Sequence, residues 1–121
     1  MTIKKILIVD DSPTERHVLN EMLTQAGYEV IASDNGEDAI VRAKRDRPDV
    51  ILMDVVMPGL NGFQATRAIS RDPDTKAIPI IICTSKAQET DKIWGMRQGA
   101  RSYVVKPVNK DELLARIAAL G

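Results

Sequence analysis

The chain has 121 residues, 44% hydrophobic and 28% charged, which is the size and make-up of one globular domain with its own core. Lys plus Arg number 17 and Asp plus Glu number 17, so the formal net charge is zero, and the broad basic field of a nucleic-acid binder is excluded. One cysteine excludes an internal disulfide and a paired-cysteine metal site, and no apolar stretch approaches the roughly 20 residues of a membrane span.

The first apolar run, KILIVD (5–10), predicts a buried strand that ends on Asp10 and Asp11. Folding alone gives no reason for that pair, because neighbouring carboxylates repel and prefer water. Ser12-Pro13-Thr14-Glu15 then forms a capping box with proline at the first helical position. The helix it starts is expected to turn Val18, Leu19, Met22, Leu23 and Ala26 inward and to stop at Gly27. YEVIA (28–32) predicts a second strand, and its glutamate marks an edge. A helix over 37–45 follows, with Ala39, Ile40 and Ala43 inward and Pro48 beyond its end. The basic stretch Arg42, Lys44, Arg45, Arg47 reads as a solvated face.

DVILMD (49–54) predicts the third strand. Met53 and Met57 are packing residues, and Gly59 and Gly62 serve a turn and the entry to a helix over 62–70. IPIIICT (78–84) predicts a fourth strand that encloses Cys83 as an inert thiol. A helix over 88–98 carries Trp94, either packed against a neighbour or exposed as an interface anchor. SYVVK (102–106) predicts the fifth strand, and Asn109 caps a last helix to about Leu120 that buries Leu113, Leu114 and Ile117. His17, the only histidine, lies just off an apolar helix face and reads as a surface residue.

Five strands alternating with five helices predict an α/β fold with a parallel sheet covered on both faces. In such sheets ligands bind beyond the carboxyl ends of the strands. Those ends carry Asp10 and Asp11, then Asp54, then Thr84 and Ser85, then Lys106 before Pro107. Gathered carboxylates raise one another's pKa unless a cation compensates, and hard oxygen ligands suit Mg²⁺. A lysine and a threonine hydroxyl suit an anion that the acids cannot hold. Together they fit transfer of a phosphoryl group onto a carboxylate.

The segments VDDS, DVVMPGLNG, CTS and YVVKP, at these separations, resemble the response-regulator receiver domain of two-component signalling, over essentially the whole chain. The resemblance implies a flavodoxin-like (βα)5 sheet of order 2-1-3-4-5, with Asp54 as phosphoacceptor. It implies Mg²⁺, with Mn²⁺ as an alternative, on Asp11, Asp54 and the backbone carbonyl of Val56, assisted by Asp10. Thr84 would bond the phosphoryl group, Lys106 would pair with it, and Tyr103 would be the switch aromatic coupled to Thr84. Lys106-Pro107 would be cis, and Val56 and Lys86 lie where the phosphate lifetime is tuned. GLNGFQATR and KIWGMRQGAR further resemble single-domain regulators of twitching-motility (type IV pilus) chemosensory systems, which implies a CheA-like histidine kinase as donor.

The expectation is a single receiver domain over 1–121 with no output domain, monomeric and cytoplasmic, lacking a signal peptide. It would be a switch, and an enzyme only in its own phosphorylation and dephosphorylation. Its output would be a protein target met by the fourth helix, fifth strand and fifth helix, or it would drain phosphate. A haloacid-dehalogenase-like phosphatase needs a second aspartate where this chain has Val56, and a flavodoxin-like carrier would meet two negative charges where its phosphate loop belongs. An unphosphorylated interaction module leaves the complete residue set unused.

Overall fold

The computed structural model describes residues 2–121. In chain order the elements are β1 (Lys5–Val9), α1 (Pro13–Gln25), β2 (Glu29–Ser33), α2 (Gly36–Asp46), β3 (Val50–Met53), α3 (Gly62–Arg71), β4 (Ile80–Thr84), α4 (Glu89–Arg97), β5 (Ser102–Val105) and α5 (Lys110–Ala118). The strands form one parallel sheet in the order β2-β1-β3-β4-β5, so YEVIA does supply an edge.

Alternation along each strand divides the core between the two faces. Ile6 and Ile8 of β1, with Leu52, Ile81 and Val104, pack on Leu19 and Leu23 of α1 and Leu113 and Ile117 of α5. Leu7 and Val9, with Ile51, Met53 and Ile80, pack on Ala39 and Ala43 of α2 and Ala65 and Ile69 of α3. Each of these large side chains contributes about 1.5–3 kcal/mol when fully buried. The small residues of α2 and α3 let those helices lie close to the β1–β3 centre. Cys83 lies in the first layer, only 2% exposed, and burial pushes its thiol up to about 12.

The basic stretch of α2 is paired as well as solvated. Arg42 meets Asp38 at 2.8 Å, Lys44 meets Asp72 of the α3 end at 2.7 Å, and Arg45 meets Asp46 at 3.0 Å. Trp94 is 48% exposed, and His17 lies at the surface 3.2 Å from Glu21.

Helix α1 departs from expectation at two of its five apolar positions. Val18 is 53% exposed and Ala26 lies at the surface. One residue advances 100° around a helix, so a face centred on Leu19 and Leu23 leaves Val18 on its flank. There it lines an apolar cleft of about 210 Å³ with Met22, Pro107 and Val108. Ala26 has already left the helix as its C-cap, one residue before Gly27, whose φ of +98° only glycine adopts without strain.

Candidate functional site

The sheet order reverses between β1, whose chain goes on to β2, and β3, which pairs on its other side, so the crevice lies above β1 and β3. Register fixes what stands there. Val9 pairs with both Ser33 and Met53, and Thr84 pairs with Val105. The next residue of each strand still bonds its neighbour: Asp10 N–H donates to the Ser33 carbonyl, Asp54 N–H to that of Val9, and Lys106 N–H to that of Thr84. Asp10, Asp54 and Lys106 are therefore held at one level by ladder bonds that outlast the strands.

Asp10 is 1% exposed. Its Oδ1 accepts from Ser12 N–H at 2.9 Å, and its Oδ2 accepts from Lys106 Nζ at 2.8 Å. The Arg16 guanidinium donates to the Asp10 carbonyl at 2.7 Å, tying α1 back to the strand end. Asp54 is 7% exposed. Its Oδ1 accepts from Val55 N–H at 2.9 Å and lies 3.6 Å from Lys106 Nζ. Among the described residues its Oδ2 takes no hydrogen bond. Behind it, α3 enters at Gly62, where a Cβ would lie 1.9 Å from the Asp54 carbonyl oxygen, so only glycine permits that approach.

The charges explain one another. Burial first, opposed by the Lys106 charge and aided by the Asp10 charge, pushes the Asp54 carboxyl up to about 6. Burial alone would lower the Lys106 ammonium, but its hydrogen bonds to Asp10 and Glu15 outweigh that and raise it above the usual lysine value. The lysine therefore stays charged at any working pH, while Asp54 is ionised only above the acid range.

Glu15 is the site residue that the sequence reading missed. The expected capping box is half formed: Ser12 Oγ accepts from Glu15 N–H at 3.3 Å, but the Glu15 carboxylate does not return to Ser12 N–H. That N–H is taken by Asp10, and Glu15 Oε2 instead accepts from Lys106 Nζ at 2.5 Å. A charged donor outcompetes a neutral one. Carboxylate oxygens of Asp10, Glu15 and Asp54 all lie within 4.8 Å of one another around the Lys106 ammonium; Asp10 and Asp54 bring hard oxygens of the kind a small divalent cation takes, and Glu15 pairs with the lysine. Asp11 stands next to this group but is exposed and outside it, and Val56 is 57% exposed on the loop after β3.

The remaining two candidates meet through the β4–α4 turn. Thr84 is fully buried, and its Oγ1 accepts from Lys86 N–H at 3.3 Å. Tyr103 OH donates to the Lys86 carbonyl at 2.8 Å, and burial pushes that phenol up to about 12, so it remains a donor. One residue thus links the hydroxyl to the aromatic. Gly95 brings α4 against the same ring, since a Cβ there would lie 3.1 Å from Tyr103. The Lys106-Pro107 bond is cis, as expected.

Residues 6–118 match the response regulator receiver domain family. The chain is 57% identical over 116 residues to protein PilH of Pseudomonas aeruginosa, covering 96% of each. It is similar in structure to chemotaxis protein CheY4 of Vibrio cholerae, at 34% identity and a TM-score of 0.91 over 99% of this chain and 100% of that one. It is also similar to the receiver domain of a Pseudomonas aeruginosa sensor histidine kinase with magnesium coordinated in its active-site cleft, at 34% identity and a TM-score of 0.90 over 98% of each.

Proposed function

The chain belongs to the response regulator receiver domain family, and on that premise we propose that Asp54 is its phosphoacceptor in two-component signalling. The observation that carries this is the meeting of Lys106 with Asp10 and Asp54 across most of the chain's length. Above pH 6 Asp54 is a carboxylate with Oδ2 free, and that oxygen attacks phosphorus while the donor's phosphorus–nitrogen bond breaks and releases the imidazole. Lys106 pairs with the phosphoryl oxygens, and the Thr84 hydroxyl donates to them. Asp10, Asp11, Asp54 and the Val56 carbonyl are the groups we assign to Mg²⁺, or Mn²⁺, which when bound supplies positive charge to those oxygens.

The readout follows from the Lys86 turn. When Thr84 turns toward the phosphoryl group, Lys86 N–H loses its acceptor and the carbonyl held by Tyr103 shifts with it. The ring and α4 follow, as a population shift between two arrangements. Exposed Ile93, Trp94 and Met96 on α4 support protein binding through α4, β5 and α5. The finer assignment is a monomeric, single-domain cytoplasmic switch fed by a CheA-like kinase, which signals by protein contact or drains phosphate; the likeness to PilH supports it. The test is intact mass after acetyl phosphate with Mg²⁺. The wild type gains one phosphoryl group and Asp54→Ala gains none; label retained by that variant would move the acceptor elsewhere.

A further inference from the structure

We propose that Glu15 is the resting counter-ion of Lys106, a positioning residue that incoming phosphoryl oxygens must displace. This rests on Asp54 being the phosphoacceptor.

An ammonium has three N–H donors. Lys106 Nζ lies 2.5 Å from Glu15 Oε2 and 2.8 Å from Asp10 Oδ2, but 3.6 Å from Asp54 Oδ1. The lysine is drawn toward α1 and away from the acceptor, and its third donor stands beyond hydrogen-bond range of Asp54. To close on a phosphoryl group at Asp54 the ammonium has to move off one of the two nearer acids. Asp10 is 1% exposed and held by Ser12 N–H on its other oxygen, so releasing the lysine would strand a buried charge. Glu15 is 46% exposed on its side chain and passes into water at small cost. The local fold does not need that carboxylate, because Ser12 Oγ caps α1 through the Glu15 backbone and Asp10 occupies Ser12 N–H. Its negative charge, within 4.8 Å of an Asp54 oxygen, also opposes the anion that arrives there.

The experiment titrates beryllofluoride, a stable phosphoryl mimic, at saturating Mg²⁺, reading the Thr84 and Lys86 amide signals by NMR. Glu15→Gln is expected to bind about two- to fivefold tighter than wild type. In a Lys106→Met background the same substitution gives no gain, which separates competition for the ammonium from a general loss of charge. If Lys106→Met is too unstable to titrate, the Lys106 Nζ resonance decides. Glu15→Gln shifts it in the free protein and leaves it unshifted in the beryllofluoride complex, where Glu15 has already been displaced. Equal affinities, a gain that survives Lys106→Met, or an Nζ shift that persists in the complex overturns the proposal. So does a more than tenfold loss of Mg²⁺ affinity in Glu15→Gln, which assigns the carboxylate to the metal. A wild type silent to beryllofluoride overturns the phosphoacceptor reading, and this one with it.

Discussion

The rim above β1, β3 and β5 and the outer face of α4 are built on opposite terms. At the rim, Asp10 is held by Ser12 and Lys106, and Lys106 lies against three carboxylates, while Asp54 keeps a single hydrogen bond to Val55 N–H. On α4, Gln88 caps the helix without a side-chain hydrogen bond, one residue (Gly95) is buried, and Ile93, Trp94 and Met96 face water. The rim is over-determined, and α4 is held mainly by its approach to Tyr103 and Ile82. A chemical event of a few kcal/mol can be read out only where the fold is cheap to move. On the function proposed above, the difference separates a place for chemistry from a place for response.

The largest test of this contrast is Lys106→Met. It leaves Asp10 and Asp54 buried without a cation and is expected to cost about 3–5 kcal/mol in urea unfolding with metal chelated. A loss below 1 kcal/mol would mean that the rim charges are solvated and the contrast is false.

Asp54→Asn acts in the other direction. The folded carboxyl titrates at about 6 and the unfolded one near 3.8, so between these values the folded state binds more protons and stability falls as pH rises. Above pH 6 the cost is fully present, and removing the charge restores about 1–3 kcal/mol. Below pH 3.8 the substitution is neutral. Unfolding midpoints of the two proteins at pH 4 and pH 8 measure the divergence; parallel curves would place Asp54 in water.

At α4 the effects are smaller. Gln88→Asp supplies the missing cap and should add about 0.5–1 kcal/mol. Hydrogen exchange of α4 amides slows, and the response of that helix to beryllofluoride shrinks. Trp94→Ala, with half its surface in water, is expected to change stability by less than about 0.5 kcal/mol while weakening capture of a protein target. A loss of 2 kcal/mol in a thermal melt would make the indole a packing residue.

The strands were legible because three of them are continuous apolar runs between turn residues, and a parallel sheet covered on both faces requires that pattern. The rim was legible because strand ends share one side. What escaped was set by competition between partners. Ser12 and Glu15 satisfy the capping-box pattern, and nothing local reveals that a lysine 91 positions away claims the carboxylate. Asp10 and Asp11 are equivalent in a string of letters, yet successive residues leaving a strand face opposite ways, and only the first is buried with Lys106. Val18 fits the helical period but lies at the margin of the stripe, where packing of the Lys106-Pro107-Val108 turn decides its exposure. An acid in the first turn after a strand-end pair was the available signal for Glu15: that turn stands at the same rim.

Cys83 gives the molecule a built-in clock. Its sulfur lies mid-sheet, one residue before Thr84, and is both sealed off and almost wholly protonated. A disulfide reagent can reach it only during moments when the helical layer of α1 and α5 lifts from that face of the sheet. The pace of labelling therefore counts those openings, and whatever holds α1 and α5 down on the sheet slows the count.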